Sequence, residues 1–161
     1  MPARCSARFF APHFVLSIAL FLAAFVTAVP FTAAAAEFRS AADNAVILYD
    51  APSTKGRKLF IVNRGYPLEV VVQVEGWIKV RDAAGGLSWA ESKLLDNTRN
   101  VLVRAASVTL RQKPAEDAPA VAEVRRDVLL ELVERPPGNW IQVRHRDGST
   151  GFVRAADVWG G

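Results

Sequence analysis

Side chains able to do covalent chemistry are scarce in this chain of 161 residues. A nucleophilic centre needs a thiolate, or a hydroxyl beside a base, yet beyond residue 36 there is no cysteine and one histidine, His145. His145 sits in RHRDG just ahead of a turn signal, between two arginines, and reads as a solvated turn residue. Zinc sites draw on several Cys or His at close spacing, and phosphate-cradling loops on a glycine pattern that is absent here. Asp and Glu are plentiful, but no pair stands in the apolar setting a glycosidase acid requires. The expectation is a protein that is not an enzyme and holds no metal or cofactor. What remains is binding chemistry, which exposed Trp and Tyr side chains commonly dominate. The phrase EGWIKVRD, 75–82, and its second version GNWIQVRH, 138–145, place Trp77 and Trp140 in matching settings.

Those two phrases belong to a duplication. AVILYDAP, 45–52, aligns with SVTLRQKP, 107–114; PLEVVV, 67–72, with LLELVE, 129–134; and DAAGGLSWA, 82–90, with HRDGSTGFV, 145–153. The polar stretch DNTRN, 96–100, reads as a linker between the copies. Within each copy the apolar period is two. In 68–75, Leu68, Val70, Val72 and Val74 share one expected core face, opposite Glu69, Gln73 and Glu75. In 77–81, Ile78 and Val80 oppose Trp77, Lys79 and Arg81, and Ile141 and Val143 likewise oppose Trp140. Gly, Pro and Asn clusters at 51–56, 63–67, 83–86, 136–139 and 146–149 supply turns. Five short strands per copy indicate a small barrel or sandwich, and the linker and end strands are expected to form a shared interface. Alternation thus puts Trp77 and Trp140 on the face away from the core, either beneath a loop or lining a groove. If they line a groove, Tyr49 and Trp77 form a shallow peptide platform edged by Asp50, Glu69 and Lys79, with Trp140 its counterpart in the second copy.

The elements are delivered by a leader-like start. Residues 1–36 hold no acid, carry Arg4 and Arg8, run apolar from Phe14 to Val29 and end in AAAA at 33–36. This is the layout of a signal peptide, with cleavage expected after Ala36; an uncleaved anchor is the alternative. Cys5 precedes the apolar run and leaves with the leader. Loss of Arg4 and Arg8 lowers the net charge from +4 to +2. Basic and acidic residues then alternate along the chain, with no basic stripe of the kind that gathers nucleic acid.

These patterns resemble the bacterial SH3 (SH3b) domain. The first copy reads VILYDAPST, RGYPLEVVVQVEGWIKV, DAAGGLSWA and ESKLL; the second reads VTLRQKPAEDAPAVAEV, LLELV, GNWIQV, RDGSTGFV and RAADVWG. The resemblance implies an all-β fold of two tandem SH3-like small β-barrels preceded by an N-terminal signal-peptide helix, divided as leader 1–36, domain 37–95, linker 96–100 and domain 101–161. It also implies that Trp89, matched by Phe152, belongs to the core, and Trp159 is expected to dock onto the second copy. Binding of a polyproline helix is not expected, because it needs complete aromatic ridges; the closing segment offers AESKLL, and Arg111 stands where the first copy has Tyr49. The resemblance implies cell-wall targeting for such modules in general; the expected function is exported binding, in the periplasm or outside the cell, of an extended peptide from peptidoglycan or an envelope protein, through Tyr49, Asp50, Glu69, Trp77, Lys79 and Trp140. The membrane is met only in transit. A scaffold in an envelope complex with no wall contact is the alternative.

Overall fold

The structure, a computed structural model, describes residues 36–160. The expected leader therefore lies outside the described residues, apart from Ala36. The described chain is all-β, with two seven-stranded antiparallel sheets of the same order. In the first repeat the strands are β1 (Phe38–Ala41), β2 (Val46–Tyr49), β3 (Lys58–Val62), β4 (Pro67–Val74), β5 (Trp77–Arg81), β6 (Leu87–Glu91) and β7 (Leu95–Asp96), ordered β3-β2-β6-β5-β4-β1-β7. In the second they are β8 (Asn100–Val103), β9 (Ser107–Arg111), β10 (Ala120–Arg125), β11 (Leu129–Glu134), β12 (Trp140–Arg144), β13 (Thr150–Arg154) and β14 (Val158–Trp159), ordered β10-β9-β13-β12-β11-β8-β14.

Neither sheet closes into the barrel expected from the sequence: the edges β3 and β7, and β10 and β14, do not pair. Closure needs two edge strands long enough to tilt and stagger against each other, and β7 and β14 have two residues each. Two strands per repeat also exceed the expected five. One is the terminal pair, β7 and β14. The other is β1 or β8, which slots between the long hairpin and the last strand: Arg39 pairs with Leu68, and Val101 with Leu130. Asp96 and Asn100, the ends of the expected linker, are strand residues.

Each repeat has its own core. Leu48, Leu68, Ile78, Val80, Ala90 and Leu95 form the first; the second gathers Val101, Val103, Leu110, Leu130, Ile141, Val143 and Val153 among others. Burying each of the larger side chains contributes about 1.5–3 kcal/mol. The alternation of Ile78 with Val80, and of Ile141 with Val143, delivers these residues inward as expected. At β4 it fails. The register steps from Val70 opposite Val80 to Val72 opposite Lys79, so Val71 is an extra residue, a β-bulge. An extra residue reverses the parity of everything after it. Val72 and Val74, expected in the core, instead lie opposite Lys79 and Trp77 on the outer face, 46% and 42% exposed. The hairpin then turns through Glu75 and Gly76, where Gly76 takes φ 74°, a left-handed conformation that favours glycine.

The repeats meet at their end strands. The Phe38 ring of β1 stands edge-on to the Trp159 ring of β14, with centroids 5.3 Å apart. Asn100 Nδ2 donates to the buried Ser40 hydroxyl at 3.1 Å. Trp159 also pairs with Leu102 in its own repeat, so it joins the two copies as well as docking onto the second.

Candidate functional site

The outer face of the first repeat follows from strand pairing. Directly opposed residues in an antiparallel sheet share a face. Lys79 on β5 lies opposite Val72 on β4 and Trp89 on β6; Trp77 lies opposite Val74 and Glu91; Tyr49 on β2 lies opposite Trp89. Tyr49, Val72, Val74, Trp77, Lys79 and Trp89 therefore stand on one surface. Tyr49 is 6% exposed and forms its floor. The Trp77 ring meets it edge-on, centroids 5.5 Å apart at 85°, the favourable arrangement for two aromatic quadrupoles. Trp77 is half-buried, neither core nor free. Lys79 Nζ lies 5.8 Å from the Trp89 ring centroid, within reach of a cation–π attraction.

Trp89 corrects the expectation that it belongs to the core. On β6 its neighbours Ser88 and Ala90 are the buried residues, and Trp89 is half-buried on the opposite face. Period two in LSWAE was signal enough for this; alignment with Phe152, which is also half-buried, misled. Val72 and Val74 were missed because nothing in a run of valines marks which one is extra.

The other expected residues are placed as follows. Asp50 holds the loop after β2: its Oδ1 accepts from the Arg57 backbone N–H at 2.9 Å and its Oδ2 lies 3.5 Å from Arg57 Nε. Glu69 does not border the Tyr49–Trp77 pair. It lies opposite Arg81, farther along β5, and is ion-paired to it at 2.8 Å. Trp140 occupies in β12 the place Trp77 has in β5, but there the Arg154 guanidinium lies 5.4 Å from its ring centroid. Arg154 is in turn held by Glu116, which also faces Arg111, while Arg111 donates to the Ala118 carbonyl at 2.7 Å. At the positions of Val72, Lys79, Trp89 and Tyr49 the second repeat has Glu134, Gln142, Phe152 and Arg111. One fold thus carries an apolar, aromatic face in the first copy and a polar one, overlaid by its own arginine, in the second.

His145 lies in the turn between β12 and β13, its Nδ1 3.0 Å from Asp147 Oδ2. The Ser149 backbone N–H, its hydroxyl and the imidazole hold the Asp147 carboxyl down at about 2. Among the described residues, no group of three or more His, Cys, Asp or Glu is placed to hold a metal ion.

Some solved structures resemble this chain at low identity. Similar chains include NlpC2 from Trichomonas vaginalis, 13% identical over 76% of this chain and 46% of that one, with a TM-score of 0.35. NlpC1 from the same organism is 12% identical over 81% and 48%, TM-score 0.34. An NlpC/P60 family protein from Bacillus cereus is 17% identical over 76% and 55%, TM-score 0.35. This chain spans about half the length of each. No curated protein matches it. The family model for the bacterial SH3 domain matches twice, at 42–97 and again at 104–160. Two matches, each covering six of one sheet's seven strands, all but β1 in the first and all but β8 in the second, mean that the chain belongs to the bacterial SH3 domain family and carries the domain in tandem.

Proposed function

We propose that this is an exported, non-enzymatic binding protein. Its first repeat takes an extended peptide of the cell envelope, the peptidoglycan stem peptide or a segment of an envelope protein, on the Tyr49–Trp77 face. The observation that carries this reading is the difference between the copies. The fold tolerates Glu134, Gln142 and Arg111 at positions where the first repeat has Val72, Lys79 and Tyr49, so folding does not demand the apolar face. An exposed apolar patch that folding does not require suits a binding role. An edge-on aromatic pair offers area at little conformational cost.

Sedimentation with purified peptidoglycan sacculi tests the reading. The protein is expected to co-sediment, and Trp77→Ala to abolish this with the circular dichroism spectrum unchanged. Trp140→Ala is expected to leave it intact. A protein that stays in the supernatant would shift the weight to an envelope scaffold. Fractionation of cells into periplasm, medium and cytoplasm checks export, which the leader-like composition of 1–36 supports.

A further inference from the structure

We infer that the ligand of the first repeat bears a carboxylate, received by Lys79 between Val72 and Trp89. The inference rests on the outer face being the binding surface. Several charged groups on or beside that face are paired off; Lys79 is not, nor are Lys58, opposite Tyr49 on the edge strand, and Glu75 in the β4–β5 turn, but of these Lys79 alone stands between Val72 and Trp89. Asp50 faces Arg57 at 3.5 Å, Glu69 faces Arg81 at 2.8 Å, and Glu91 faces Lys93 at 2.8 Å. Lys79 has no ion-pair partner among the described residues. Its cross-strand neighbours are Val72 on one side and Trp89 on the other, with Trp77 next along the same face of β5.

A cation between apolar walls is poorly screened by water, so its attraction for an incoming anion is stronger than that of a free surface lysine. A single ammonium is a point charge, suited to one carboxylate rather than to the several donors a phosphate draws. The second repeat supplies the contrast. Gln142 replaces Lys79 and lies beside Glu134 rather than a valine, and the cations of that face, Arg111 and Arg154, are already engaged by Glu116, so the same place there offers a carboxylate no free cation. Charge and apolar surface therefore change together between the copies, as recognition of an anionic, apolar-flanked peptide requires.

The four tryptophan indole N–H signals of the 15N-labelled protein provide the readout. Three blocked tripeptides serve as probes: acetyl-Ala-Ala-Leu with a free C-terminal carboxylate, the same peptide amidated, and acetyl-Ala-Glu-Leu amidated, whose carboxylate is on a side chain. The Trp77 and Trp89 signals are expected to move while Trp140 stays still. At least one carboxylate peptide is expected to bind about fivefold more tightly than the neutral one; which one identifies the carboxylate as terminal or side-chain. Lys79→Gln, which the fold accepts at 142, is expected to erase that preference, and Lys79→Arg to keep it. Equal binding of all three peptides, or a preference that survives Lys79→Gln, would overturn the carboxylate while leaving the outer face as the binding surface. If no peptide moves Trp77 or Trp89 and sacculi are not bound, the surface falls too.

Discussion

Asp147 accepts a hydrogen bond from the Ser149 backbone N–H at 2.8 Å and faces His145 Nδ1 at 3.0 Å. Both contacts favour the ionised carboxylate, so its pKa in the folded protein drops to about 2 from an ordinary 3.8. A carboxyl depressed on folding adds stability above its unfolded pKa and loses it as the pH falls through the folded one. Wild type and Asp147→Asn are therefore expected to differ in urea midpoint at pH 6, the wild type being higher, and the gap is expected to close between pH 4 and pH 2. A gap that stays constant with pH would mean that the turn is held by something other than this ionisation. At the same scale, Trp77 shows how little a residue type says alone. Trp140 has the same strand position, yet its ring is covered by Arg154 where Trp77 meets Tyr49.

Strands β3 and β5 differ in what their apolar residues do. Ile78 in β5 is fully buried in the first core, whereas Ile61 in β3, a sheet edge, is 66% exposed. Ile78→Ala is expected to cost about 2–5 kcal/mol through lost burial and the cavity left behind. Ile61→Lys is expected to stay within about 0.5 kcal/mol of wild type. Urea unfolding of the two variants measures both; a large loss from Ile61→Lys would show that its edge is covered. Most strands were legible in the amino-acid pattern, because half-buried β-structure imposes period two and Gly and Pro punctuate it. Three features were not. FRSA, 38–41, is too short and polar to announce β1. NVLV, 100–103, is buried on both faces and shows no alternation. The bulge at Val71 lies in a run of valines, where the register is set by the partner strand rather than by residue type. The outer face of the first repeat is half legible: the sequence brings Tyr49, Trp77 and Lys79 together, but period two and the family resemblance put Val72, Val74 and Trp89 in the interior.

At the scale of the molecule, the repeats are tied by a few specific contacts. Phe38 and Trp159 form an edge-on pair across the junction, an arrangement worth about 0.5–1.5 kcal/mol beyond its buried area. Gly160 lies so close that a Cβ there would fall 2.5 Å from the Asn100 carbonyl oxygen and 2.8 Å from Pro67 Cβ. Phe38→Ala is expected to lower the unfolding free energy by about 1–3 kcal/mol and to alter the Trp159 fluorescence, while a double-mutant cycle with Trp159→Leu returns a non-zero coupling. Additivity of the two changes would mean that the rings do not act together. Every strand pairing among the described residues joins partners from the same copy. The leading half can consequently complete its ladders while the trailing half is still being synthesised, and the Phe38–Trp159 contact closes last. Because equivalent strands such as FRSA and NVLV have diverged, a nascent chain that tried to exchange them between halves would set Arg39 and Ser40 where the second repeat has the buried Val101 and Leu102, which discourages swapped products.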